Sequence, residues 1–238
     1  MGPGYFVAET YKVIKLMLES KIEVHSILGT EEWIEKITPE IDRYGLSSDQ
    51  IYVAPKKELE SIVGFALHQG LMALGRRPQD VLLSELEDRV LVFDGVVNPE
   101  NVGSIIRSAA AFGKFSILSD SSSADPYIRR AVRVSMGNVF GIKTHISENL
   151  VGSLGELQKN HGYRIIGSDL HKPTGSLANF RFPKKYTLII GSEVNGMRRE
   201  VVDACDDALI IPTVKMGYAL NASHAATVLL YHASTFSE

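Results

Sequence analysis

Three short segments, each directly after an apolar run, hold the polar residues best placed for chemistry. The first, Leu91 to Gly113, contains Asn101, Gly103 and Arg107; the second, Leu188 to Met197, contains Gly191, Glu193 and Gly196. The third, Ile210 to Ala226, contains Ile211, Pro212, Leu220, Asn221 and Ser223. Amides both donate and accept, a carboxylate accepts, and a guanidinium stays protonated, so the set suits positioning and charge stabilisation. In open α/β sheets ligands bind beyond the carboxyl ends of strands, where all three segments are expected to lie.

Each segment alone has a plainer reading. Arg107 can be a buried structural arginine, Glu193 a cap for the helix that follows, and Asn221 a helix cap. Asn101 and Arg107 are six residues apart, about 240° around a helix, so they do not share a face if both are helical. If both serve one site, Asn101 belongs to the loop. Gly191, straight after a strand, lets a ligand approach the backbone, and Gly196 permits a turn.

The elements that must position these residues form two series. In the first, Phe6–Ala8 and Val24–Leu28 read as strands, Thr10 and Thr30 as helix caps, Pro39 as the stop of the second helix and Ile51–Val53 as a third strand. The turn-rich run Gly75–Asp80 reads as the start of a linker. The second series has strand candidates Val90–Phe93, Phe115–Leu118, Arg164–Gly167, Thr187–Ile190 and Ala208–Ile211, with helices between most of them. This pattern predicts a mostly parallel sheet. Ser119 to Asp125 reads as a polar loop with little order of its own.

Composition narrows the functions. The 238 residues are 45% hydrophobic with a net charge of −3, ample for a core and unlike a protein that coats nucleic acid indiscriminately. Basic residues come in small groups such as Arg129-Arg130 with Arg133, and Lys184-Lys185. No apolar run reaches the ~18 residues that span a bilayer, and residues 1–10 lack a secretion-signal layout, so the expectation is a cytoplasmic protein without membrane contact. Cys205 is the only cysteine and the histidines are scattered; His224 and His232 have no carboxylate at ligand spacing, so no metal is expected. The second segment lacks the Gly-Lys-Ser/Thr ending of a P-loop, and no Gly-x-Gly-x-x-Gly follows an early strand, which argues against a dehydrogenase.

Taken together the segments resemble the three ordered motifs of the SpoU/TrmH RNA methyltransferases, a branch of the SPOUT superfamily. Asn101, Gly103, Ile105, Arg107 and Phe112-Gly113 match the first motif; Gly191, Glu193 and Gly196 the second; Ile211-Pro212, Leu220-Asn221, Ser223 and Ala225 the third. Arg133-Val134-Ser135-Met136-Gly137 resembles a further family stretch. The resemblance covers about residues 88 to 236, and residues 1 to 75 resemble the ribosomal-protein-like α/β domain that many members carry to select RNA.

The resemblance implies an RNA-binding domain over 1–75, a linker over 76–89 and a methyltransferase domain over 90–238 with a deep trefoil knot. It implies a homodimer that uses S-adenosylmethionine to methylate a ribose 2′-hydroxyl in tRNA or rRNA. Gly191, Ile211, Leu220 and Gly196 would bind the cofactor. Arg107 would activate the hydroxyl, most simply by stabilising a developing alkoxide, while Asn101 and Asn221 hold loop and substrate and Glu193 organises the site. The chain departs from the third motif at Thr213, Lys215 and Ala219. Those departures motivate the alternative of a non-catalytic RNA-binding relative that keeps the fold.

Overall fold

A computed structural model describes residues 4–20, 22–64, 66–67, 69–170, 173–214 and 219–236. The chain forms two compact units, one of Met1–Pro78 with Pro126–Gly141, the other of Gln79–Asp125 with Ile142–Glu238.

The first unit runs β1 (Tyr5–Glu9), α1 (Tyr11–Glu19), β2 (Val24–Gly29), α2 (Glu31–Tyr44), β3 (Ile51–Val53), α3 (Lys56–Val63) and β4 (Leu71–Arg76). Its sheet order is β1-β4-β2-β3, antiparallel except for the β2–β3 pair. Pro39 does not stop α2 but lies inside it, and the helix ends at Gly45 in the left-handed conformation. The Pro39 ring is exposed, and the buried Ile37 and Ile41 continue the apolar stripe past it, so tertiary packing outweighs the ~3 kcal/mol penalty of an interior proline. Gly75 and Arg76 do not begin a linker; they end the central strand β4. A Cβ on Gly75 would sit 2.9 Å from Phe6 Cζ, so this glycine makes room for an aromatic ring rather than for a turn.

Residues 126–141, expected in the methyltransferase domain, cluster with the first unit. They carry α5 (Arg129–Val134). The ring of Phe6 packs against Tyr127 at 5.2 Å and Phe140 at 5.5 Å between centroids. The buried Glu9 accepts a hydrogen bond from Arg129 and lies 3.9 Å from Arg133.

The second unit continues with β5 (Arg89–Asp94), α4 (Pro99–Phe112), β6 (Ser116–Asp120), β7 (Thr144–Ser147), α6 (Leu150–His161), β8 (Arg164–Ser168), β9 (Gly175–Ser176), β10 (Tyr186–Gly191), α7 (Arg199–Asp203), β11 (Asp207–Ile210) and α8 (Ala222–Thr235). Its sheet is parallel throughout, in the order β7-β6-β5-β10-β8-β11-β9. Strands β5 and β10 are buried over nearly their whole length, which is why they read as unbroken apolar runs.

Part of the expected linker is built into this unit. Val81 N donates to Thr144 O, Thr144 Oγ1 donates to Asp80 at 2.7 Å, and Leu86 joins the core of Val90, Leu154, Leu157 and Ile189. The Ser119–Asp125 segment is also ordered, contrary to expectation. Ser119 and Asp120 end β6, and the buried Asp120 accepts from Gly95 N, Ser123 N and Ser123 Oγ.

Candidate active site

Asn98 caps α4 by accepting from Glu100 N at 2.9 Å, and Pro99, which needs no N–H there, opens the first turn. This start places Asn101 within the helix, not in the loop, and buries its amide. Arg107 follows on the same helix but on another face, as the helical spacing requires. It is exposed, with no hydrogen-bond or ion-pair partner among the described residues, so it is not a buried structural arginine.

Beyond β10 the chain turns back on itself. Ser192 N donates to Gly196 O and Gly196 N to Ser192 O, both at 3.0 Å, with Gly196 at φ +69°. The residue type at Gly191 is dictated by this turn rather than by a ligand: a Cβ there would lie 2.3 Å from Gly196 C and from Met197 N. Glu193, carried on the turn, does not cap a helix. Its Oε1 accepts from Asn101 Nδ2 at 2.6 Å.

Beyond β11, Thr213 and Val214 are exposed, while Lys215 and Gly217 lie outside the described residues. Asn221 does cap α8, its Oδ1 accepting from Ser223 N at 2.9 Å and from Ser223 Oγ at 2.7 Å. It does more than cap, because its Nδ2 donates to Asn101 Oδ1 at 3.2 Å. The hydrogen bonds therefore run in one direction, from the N-terminus of α8 through two amides to the Glu193 carboxylate. Each amide is fixed in orientation by the next, which is how a buried polar group is held without penalty.

A cleft of about 300 Å³ adjoins this chain of amides. All four cofactor candidates, Gly191, Gly196, Ile211 and Leu220, line it, as do Glu193 and Ala219. Its walls are largely apolar with a few polar groups, the usual character of a small-molecule site. Ser168, which ends β8, and Asp169 and Leu170 just beyond it line it too and were not foreseen. The available signal was the Arg164–Gly167 strand itself, because ligands gather at the carboxyl ends of parallel strands.

The chain is similar to known proteins over most of its length. The SpoU methyltransferase AviRb from Streptomyces viridochromogenes, in complex with the cofactor AdoMet, superposes with a TM-score of 0.83 at 27% identity, over 97% of this chain and 89% of that one. An uncharacterized tRNA/rRNA methyltransferase of Mycolicibacterium paratuberculosis is 31% identical over 211 residues, 85% of this chain and 67% of the relative. The 23S rRNA (guanosine-2′-O-)-methyltransferase RlmB of Acinetobacter baylyi is 25% identical over 238 residues, 96% of this chain and 95% of the relative. The fold is thus that of an RNA methyltransferase. Residues 88–231 match the SpoU rRNA Methylase family, and the chain belongs to it.

Proposed function

We propose that this protein transfers a methyl group from S-adenosylmethionine to a ribose 2′-hydroxyl of tRNA or rRNA, and does so as a homodimer. The observation that carries the reading is the hydrogen-bonded run Asn221–Asn101–Glu193 beside the apolar cleft, since it draws one residue from each of the three motifs into one site. The guanosine-2′-O activity named for the RlmB relatives supports the choice of the ribose hydroxyl.

The cofactor supplies a methyl group already activated by the positive charge on sulfur, so the protein's task is alignment and charge stabilisation. Ile190, Ile211, Leu220 and Ala225 offer apolar walls suited to a nucleoside base, and Gly191 and Gly196 offer backbone. Asn101, fixed from both sides, is suited to holding the attacking ribose or the cofactor loop. Arg107, with its guanidinium free among the described residues, is suited to stabilising the alkoxide. We also infer that the last segment threads a trefoil knot. The placement of β10 between β5 and β8 and the packing of α8 on α4 support it, and a crystallographic trace of residues 210–222 tests it.

Incubation with methyl-tritiated S-adenosylmethionine and total RNA, followed by alkaline hydrolysis, tests the reaction. Label in alkali-resistant dinucleotides is expected, because a methylated 2′-oxygen cannot attack the neighbouring phosphate. Label in mononucleotides would make the protein a base methylase, and no label at all would favour the non-catalytic alternative.

A further inference from the structure

The three motifs leave unexplained a second polar cluster on the other flank of the Glu193 turn. Arg198, just before α7, donates its backbone N–H to Asp94 Oδ2 at 2.7 Å and its Nε–H to Asp94 Oδ1 at 2.6 Å. The Asp94 side chain is fully buried and ends β5, a few residues before the cap of α4. Arg198 Nη2 also lies 3.5 Å from Asp120 Oδ2 at the end of β6. Among the described residues Arg198 is the cation that meets both carboxylates.

The connectivity makes this cluster more than an ion pair. From Asp94 the chain runs to Asn101, whose amide holds Glu193; from Glu193 it runs round the turn to Arg198, which returns to Asp94. The turn is therefore tied to the α4 segment at both ends, and its width is fixed by the two backbone bonds between Ser192 and Gly196. Asp120 is itself immobilised by Gly95, Ser122 and Ser123. With two buried carboxylates facing it and Glu200 at 3.9 Å, the guanidinium is neutralised locally and poorly suited to receive an RNA phosphate.

We propose that Arg198 is a positioning residue for methyl transfer: through Asp94 and Asp120 it sets where Glu193 meets Asn101 and holds the shape of the cofactor cleft. The inference rests on the methyltransferase reading above. It does not place Arg198 in contact with substrate.

The test compares wild type, Arg198→Ala, Arg198→Lys and the double variant Asp94→Asn with Arg198→Met. Arg198→Ala is expected to weaken S-adenosylmethionine binding and to lower kcat by roughly 10²-fold, the cost of a small misplacement, with KM for RNA within about twofold. Arg198→Lys recovers part of kcat, since an ammonium still pairs with Asp94 but cannot fork across both carboxylates. The double variant removes the Asp94 and Arg198 charges together and leaves Asp120 held by Gly95, Ser122 and Ser123, so it is expected to regain part of the melting temperature without regaining kcat. Recovery of both would make Arg198 a stability element only and overturn the proposal. A higher RNA KM with a flatter salt dependence would make it a phosphate contact and overturn it equally. If wild type transfers no methyl group, the earlier reading fails, and calorimetry with S-adenosylmethionine still decides this one: unchanged affinity in Arg198→Ala overturns it.

Discussion

At the scale of single residues, the amides and carboxylate of the site are held by one another, whereas Arg107 is held by nothing among the described residues. Arg107→Ala is therefore expected to lower turnover by roughly 10²-fold or more, as removal of one charge-stabilising donor does, while melting temperature and cofactor affinity stay unchanged. A drop in melting temperature alongside activity would return Arg107 to a structural role. Asp120 yields a second prediction. Burial alone would raise its pKa, but hydrogen bonds from Ser122, Ser123 and Gly95 and the charge of Arg198 bring it below the ordinary 3.8. A carboxyl depressed by folding contributes stability that is complete above the ordinary value and lost as pH falls through the lower folded one. The melting-temperature gap between wild type and Asp120→Asn should thus be widest near neutrality and close below about pH 4; a constant gap would show that the charge is not the cause. The types and order of Asn101, Glu193 and Asn221 were legible in sequence because each follows a strand. Asp120 was not, since a buried carboxylate among serines reads like any polar loop.

At the scale of elements, hydrophobic runs located most strands of the second unit but not β7, whose Thr144–Ser147 holds a single apolar residue, nor the two-residue β9. Glycine proved ambiguous in the same way. Gly75 and Gly191 both looked like turn or ligand positions, yet one accommodates a phenylalanine ring and the other the chain's own backbone. That contact makes Gly191→Ala the sharpest test of the turn. Its Cβ would be 2.3 Å from Gly196 C, and backbone cannot swing aside as a side chain can. The turn must open, so S-adenosylmethionine binding measured by calorimetry should be lost while far-UV circular dichroism stays native. Binding at wild-type strength would show that the turn is free to move without disturbing the cleft.

At the scale of the whole molecule, the sequence suggested two consecutive domains, but residues 126–141 join the first unit through Tyr127, Phe140 and the Glu9–Arg129 pair. Nothing local announces a contact between residues 120 positions apart. A related non-local question concerns Arg107, which shares α4 with Asn101 but not its face. Nearby, α8 presents His224, Val228, Tyr231 and Thr235 to solvent, a stripe at helical spacing with Tyr231 55% exposed, and α4 adds Ala110 and Ala111. The helices are packed together, with Ser108 and Thr227 hydroxyls 2.8 Å apart, so these residues belong to one surface. In a homodimer built on that surface, Arg107 could complete the site of the partner subunit, and subunit mixing tests the arrangement directly. Arg107→Ala and Asn101→Ala chains, each inactive alone, are co-expressed and the dimers purified. If Arg107 acts across the interface, every heterodimer keeps one intact site, and a random mixture should recover about a quarter of wild-type activity. If it acts within its own chain, both sites of the heterodimer are damaged and none is recovered. Val228→Glu, which places a charge in the middle of the surface, should abolish the recovery and give a monomer in sedimentation; recovery that survives in a monomer would rule the interface out.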